Sequence, residues 1–192
     1  INIADENFGS DKSHAYEVAR TLKKHDMLWI ATGIRCTSVT YEDIKFYKEH
    51  NCSALKFGIE SGSQKILDIM DKVFSTDHVT TALENCRKLS IYSPLALMIG
   101  MPGETDETVM QTGVLIGKTA ASLGTHPEVM GYDLFYAIAF PSTPLYEYGQ
   151  QVGAIGKNIE EEEQYLKSVS NSGTYKRYYL NLNGAPVRDV IF

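Results

Sequence analysis

Short apolar runs alternate along this chain with longer stretches in which apolar side chains recur every three or four positions. The runs cover residues 1–4, 28–33, 53–58, 95–100 and 131–139. They are near-continuous rather than strictly alternating, the pattern of parallel strands covered on both faces. Between them lie helical periods. Residues 11–27 put Ala15, Val18, Ala19 and Leu22 on one face. Thr40 opens the next helix, with Asp43 in capping-box position and Ile44, Phe46 and Tyr47 as its apolar face. Ser61 or Ser63 caps a short helix carrying Ile66, Leu67, Ile69 and Met70. Ser75 or Thr76 starts another, with Val79, Ala82, Leu83, Cys86 and Leu89 at helical spacing. A long helix is expected over 104–123, and two more near 143–152 and 159–169.

Strands separated by helices predict consecutive βαβ units, a parallel sheet and the α/β class. Beyond position 171 the pattern changes. Tyr175, Tyr178, Tyr179, Asn181, Asn183 and Gly184 predict an irregular C-terminal extension.

Composition narrows the functional classes. The 192 residues suit one domain, and the net charge of -6 argues against a nucleic-acid partner. The longest apolar run, 95–101, is too short for a membrane span and contains Gly100. No signal peptide is visible, so a cytoplasmic location is expected. The chain begins with Ile1 inside a strand-like run, as expected of a terminus made by truncation or processing. Cys36, Cys52 and Cys86 match no metal-binding spacing and read as buried free thiols. His14, His25, His50, His78 and His126 are scattered, and no zinc-type histidine pair occurs. Phosphate-loop and nucleophile-elbow motifs are also missing.

Ligand sites in parallel α/β folds lie at the C-terminal ends of the strands. Here those ends carry Asp5-Glu6-Asn7, Arg35, Glu60-Ser61, Glu104 and Pro141-Ser142-Thr143. Asp5 and Glu6 fit a paired acid–base unit, an ammonium-binding loop or a plain approach to a helix. Arg35 fits a carboxylate clamp or a structural ion pair. Glu60 fits an acceptor for ribose or ammonium groups, or a first-turn residue complementing a helix dipole. Gly100 leaves room at a strand end for a flat ring, and Glu104 is expected to start the following helix.

Taken in order, several strings resemble the radical S-adenosylmethionine (SAM) superfamily, in the branch whose members often carry an N-terminal cobalamin-binding domain. They are Asp5-Glu6-Asn7-Phe8, Gly33-Ile34-Arg35, Lys56-Phe57-Gly58-Ile59-Glu60-Ser61-Gly62-Ser63-Gln64 with Met70-Asp71-Lys72, Met98-Ile99-Gly100-Met101-Pro102-Gly103-Glu104-Thr105, and Phe140-Pro141-Ser142-Thr143-Pro144-Leu145-Tyr146. The resemblance implies a partial TIM-like (β/α) barrel over 1–155, from the second to the sixth strand, followed by a helical, tyrosine-rich extension over 156–192. It implies that Asp5 and Glu6 lie near the methionyl amine. Arg35, Glu60 and the adjoining Ser61 would face the carboxylate or ribose, Ile99 and Gly100 would line the adenine, and Tyr136 would border substrate or adenine. The family's C-x-x-x-C-x-x-C loop, which holds a 4Fe–4S cluster, does not occur in this sequence.

The implied function is therefore that of a fragment. It would supply part of the SAM and small-molecule substrate site of an enzyme that cleaves SAM reductively to a 5′-deoxyadenosyl radical, and be inactive alone. The cluster ligands would lie elsewhere, and cobalamin is an optional further cofactor of the full-length protein. The exposed barrel edge at 1–4 predicts a homodimer. Two other classes compete: a degenerate barrel binding a nucleotide or protein without redox chemistry, and a barrel lyase using Glu60 or Glu104 as base.

Overall fold

The computed structural model describes residues 1–123, 131–170, 180 and 182–183. Tyr175, Tyr178, Tyr179, Asn181 and Gly184 of the expected extension lie outside the described residues, as does His126. The strands are β1 (Asn2–Ala4), β2 (Trp29–Ile34), β3 (Cys52–Glu60), β4 (Leu95–Ile99) and β5 (Tyr132–Tyr136). The helices are α1 (Lys12–Lys24), α2 (Tyr41–Glu49), α3 (Gln64–Ile69), α4 (Thr76–Lys88), α5 (Asp106–Leu123), α6 (Pro144–Gln151) and α7 (Ile159–Val169). The sheet order is β1-β2-β3-β4-β5, with parallel pairing from β1 through β4.

Local chemistry sets the helix starts. The Asp11 side chain accepts the His14 N–H ahead of α1. Thr40 and Asp43 complete the expected capping box of α2, each side chain accepting the other's backbone N–H. Ser75, rather than Thr76, precedes α4, with His78 in the reciprocal role. Ser63 precedes α3 without a capping bond from its side chain. Three expectations are corrected. Helix α5 begins at Asp106, so Glu104 does not start it. Strand β5 ends at Tyr136 rather than at 139. The sheet is not fully covered on both faces: in β3, Leu55, Phe57 and Ile59 are buried while Lys56, Gly58 and Glu60 are half-buried. The less covered side carries small or polar groups that give a packed layer little to bury.

The chain divides into two compact units, Ile1–Leu97 with Thr108–Asp133, and Met98–Glu107 with the described residues from Leu134 onward. The core of the first unit joins Ala15 and Ala19 of α1, Trp29 and Ile34 of β2, Ile44 and Tyr47 of α2, Leu55, Phe57 and Ile59 of β3, and Val79, Leu83 and Cys86 of α4. Each large apolar side chain buried there contributes about 1.5–3 kcal/mol. Phe8, Trp29 and Tyr47 stack edge to face or tilted, with ring centroids 5.7–5.8 Å apart. A second, smaller core in the other unit gathers Ala139, Tyr146, Ile155, Tyr165, Val169, Leu180 and Leu182. There the Tyr165 hydroxyl donates to the Ala139 carbonyl (2.7 Å) and accepts the Ala139 N–H (3.1 Å), pinning the chain after β5.

Candidate functional site

In the first unit the ends of β1, β2 and β3 carry the expected polar groups. Ala4 pairs with Thr32, so Asp5 and Glu6 leave β1 beside Gly33 of β2. The approach is very close. A Cβ on Gly33 would lie 1.8 Å from the Asp5 carbonyl oxygen, and Gly33 has φ +75°. Only glycine fits there. The Asp5 carboxylate accepts the Asn7 N–H (3.1 Å), and the Asn7 side chain in turn accepts the Ser38 hydroxyl (3.0 Å). The loops after β1 and β2 are thereby tied together. Asp5, Glu6 and Arg35 are all exposed, and no carboxylate among the described residues lies within ion-pair distance of Arg35.

Glu60 ends β3 and takes no part in the next helix, which begins at Gln64. A register shift occurs between Gly58, opposite Ala96, and Glu60, opposite Leu97. Such bulges re-aim side chains and are common beside active sites. Glu60 also has φ +60°, a left-handed conformation that costs a side-chain-bearing residue about 1–2 kcal/mol. The Ser61 N–H closes the turn on the Ile59 carbonyl at 2.6 Å. Ser61 itself is buried. Its hydroxyl accepts the Ser63 N–H (3.1 Å) and meets the Thr112 hydroxyl (3.2 Å), which also accepts the Gly62 N–H (2.9 Å). A Cβ on Gly62 would lie 2.7 Å from the Thr112 Cα, so the glycine lets α5 close onto the turn.

Two contributors to this site were not selected from sequence. Thr112 is one. The other is Lys72, whose Nζ lies 3.2 Å from Glu60 Oε1. The Glu60 side chain is 17% exposed and that of Lys72 32%, so the pair is half sheltered yet reachable. Lys72 stood in the sequence beside Met70 and Asp71, but only the short α3 turning back on β3 brings it to Glu60. A separate ion pair joins Lys56 of β3 to Asp133 of β5.

In the second unit, Gly100 directly follows β4 and has φ +91°. Its N–H donates to Glu104 Oε2 at 2.6 Å. Glu104 thus closes the Gly100–Glu104 turn, two residues ahead of α5. Burial pushes its carboxyl above the usual carboxylate range, against the opposing pull of that N–H. The Ile99 carbonyl accepts the Ala137 N–H (2.8 Å), and Tyr136, the last residue of β5, is half-buried.

The residues present do not fit an iron–sulfur cluster. All three cysteines are buried, and burial pushes the Cys36 thiol up to about 11 and those of Cys52 and Cys86 up to about 12. Cluster ligation needs thiolates in a tight set. No group of three or more His, Cys, Asp or Glu among the described residues could hold a metal ion. No helix of the described residues is long and apolar enough to cross a membrane.

Comparison with known proteins bears on this arrangement. The family model of the radical SAM superfamily matches residues 6–116. An uncharacterized methyltransferase of Pyrococcus horikoshii is 29% identical over 162 residues, which cover 83% of this chain and 32% of that protein. Among solved structures, the radical SAM methyltransferase TsrM from Kitasatospora setae, with cobalamin and a [4Fe-4S] cluster bound, has a TM-score of 0.61 at 17% identity, covering 82% of this chain and 30% of that one. The cobalamin-dependent SAM radical enzyme OxsB has a TM-score of 0.54 at 15% identity, covering 92% of this chain and 23% of that one. The chain spans about a third of the length of the curated methyltransferase. These likenesses give the fold as the α/β class, a partial TIM-like (β/α) barrel with parallel strands. With the family model matching more than half of its length, the chain belongs to the radical SAM superfamily.

Proposed function

We propose that this chain supplies part of the SAM site of a radical SAM enzyme, in the branch associated with cobalamin. The intact protein would cleave SAM reductively to a 5′-deoxyadenosyl radical and act on a small molecule, with methyl transfer the favoured outcome. Its cluster would be held by residues outside this chain. The branch is supported by the cobalamin-dependent enzymes among the structural neighbours, and the methyl-transfer reading by the methyltransferase relative.

Within the first unit, the exposed carboxylates of Asp5 and Glu6 serve the methionyl ammonium. Arg35, exposed and free of a carboxylate partner among the described residues, serves the methionyl carboxylate. Glu60 accepts from ribose hydroxyls, and Ser61 contributes by building the turn that presents it. Within the second unit, Ile99 and Gly100 offer backbone and a side-chain-free strand end to the adenine, and Tyr136 borders the ligand. The observation that carries the reading is Glu60: a strained, bulged, half-sheltered carboxylate at a strand end of this fold.

The test is calorimetric titration of the chain with S-adenosylhomocysteine, which keeps the ammonium, carboxylate, ribose and adenine of SAM and lacks its methyl group and sulfonium charge. Binding is expected, weakened about tenfold or more by Glu60→Ala and by Arg35→Ala. A folded chain that binds no S-adenosylhomocysteine, or whose affinity neither variant changes, sinks the assignment. For the intact protein, S-adenosylhomocysteine binding with no 5′-deoxyadenosine produced under reducing conditions would mark a nucleotide-binding module without redox chemistry.

A further inference from the structure

The inner side of α5 buries Thr108, Thr119 and Ala120. The outer side of such a helix should be polar where it meets water. On α5 it is apolar instead. Val109, Met110 and Val114 stand there 46%, 69% and 46% exposed. Gly113 and Gly117 lie among them, and a Cβ on either would meet nothing within 4 Å. Past Asp106, the charged and amide side chains of the helix (Glu107, Gln111 and Lys118) are confined to one flank. A helix that is apolar on its inner and its outer side is built to be covered on both. Two glycines one turn apart, beside exposed apolar side chains, leave a groove into which a second helix can pack closely.

We propose that the outer face of α5 is the contact between two copies of this chain, packed with the two helices antiparallel. The charges select both the occupant and its direction. Glu107 and Lys118 lie on the same flank, about three turns apart, and their midpoint falls at Gly113. Two antiparallel copies related by a twofold axis at Gly113 bring Glu107 of each beside Lys118 of the other, so one opposite-charge pair is made twice. A parallel arrangement sets that flank against the opposite flank of its mate, where Val109, Ile116 and Ala120 carry no charge. The same twofold axis lays Met110 of each copy over Val114 and Gly117 of the other. A long, adaptable side chain then fills the gap that the glycine leaves.

The experiment follows association of the chain by sedimentation equilibrium from micromolar to millimolar concentration, with folding checked by circular dichroism. Wild type is expected to pass from monomer to dimer across that range. Gly117→Leu and Met110→Lys are each expected to raise the dimer dissociation constant about tenfold or more, the first by filling the groove and the second by placing a charge in an apolar contact. Both positions face open space, so neither change disturbs the packing within one copy. Glu107→Lys and Lys118→Glu each set like charges together and are expected to weaken the dimer about fivefold, and the double reversal restores it. Should Glu107→Lys unsettle the start of α5, Glu107→Gln and Lys118→Gln take their place, and the double variant is expected to lose no more than either single one. A wild type that stays monomeric throughout overturns the inference. So does a dimer that Gly117→Leu and Met110→Lys leave intact, because its contact would lie elsewhere, the β1 edge included. A dimer weakened by those two changes but not restored by the double reversal, or losing additively with the glutamine pair, overturns the antiparallel arrangement.

Discussion

At the scale of single residues, the strand ends combine strain with access. Glu60 keeps a left-handed backbone although asparagine or glycine would suit it better. Replacing it by glycine and by alanine separates the backbone cost from the carboxylate. Both variants remove the Lys72 ion pair, so their difference reports the conformation. Glu60→Gly is expected to be about 1 kcal/mol more stable than Glu60→Ala in urea unfolding. Equal stabilities would mean that the left-handed geometry carries no cost here. Gly33 is the opposite case, where a side chain is physically barred. Its φ of +75° and the 1.8 Å separation from the Asp5 carbonyl leave Gly33→Ala no accommodation without moving the β1 loop. A loss of about 2 kcal/mol or more is expected, with weaker S-adenosylhomocysteine binding through displaced Asp5 and Glu6. A Gly33→Ala variant as stable as wild type would show that this loop moves freely.

At the scale of elements, Asp43 joins α1 to α2. Its nearly buried carboxylate accepts from the Thr40 N–H and hydroxyl (2.8 and 2.7 Å), from Lys12 (2.8 Å) and from the Tyr16 hydroxyl (2.6 Å). Burial alone would raise its pKa, but bonds from Lys12, Tyr16 and Thr40 outweigh burial and carry it far below the usual carboxylate range. The linkage sign follows. A carboxylate depressed in the folded state adds stability that is complete above its unfolded value, near 4. That stability drains away as pH falls from there toward the folded value. Asp43→Asn is expected to cost about 3 kcal/mol at neutral pH and to flatten the acid limb of a stability-against-pH curve. An unchanged acid limb would assign it to other carboxylates. The Thr40–Asp43 box was legible because both partners sit within four residues. Helix α5 was misplaced for a related reason: Glu104 looks like a first-turn acid, but its carboxylate turns back to the Gly100 N–H. Strand-end positions such as Arg35 and Glu60 could be read because apolar runs stop there. The bulge at Glu60, its left-handed backbone and its pairing with Lys72 could not. They depend on β3–β4 register and on a helix end at Asp71 that carries no glycine to announce it.

At the scale of the whole molecule, family membership and the metal chemistry of that family come apart. The superfamily model matches residues 6–116, yet this sequence has no tight cysteine set. Each of its three thiols is buried and held protonated at neutral pH, with burial raising all of them to about 11 or 12. Iron would have to displace those protons from buried side chains, at the cost of the packing around Cys52 and Cys86. The groups proposed to bind the nucleoside make no such demand, because Glu60, Arg35 and the Asp5–Glu6 loop are set by strand ends and turns that need no metal ligand. The two properties should therefore separate in one preparation. Anaerobic incubation of the chain with ferrous iron and sulfide, followed by desalting, is expected to leave it without cluster absorbance or stoichiometric iron. Its affinity for S-adenosylhomocysteine should match that of untreated protein. A stoichiometric 4Fe–4S cluster on this chain would show that the buried cysteines can be recruited, and a loss of S-adenosylhomocysteine binding without iron uptake would show that the strand-end groups do not stand on their own.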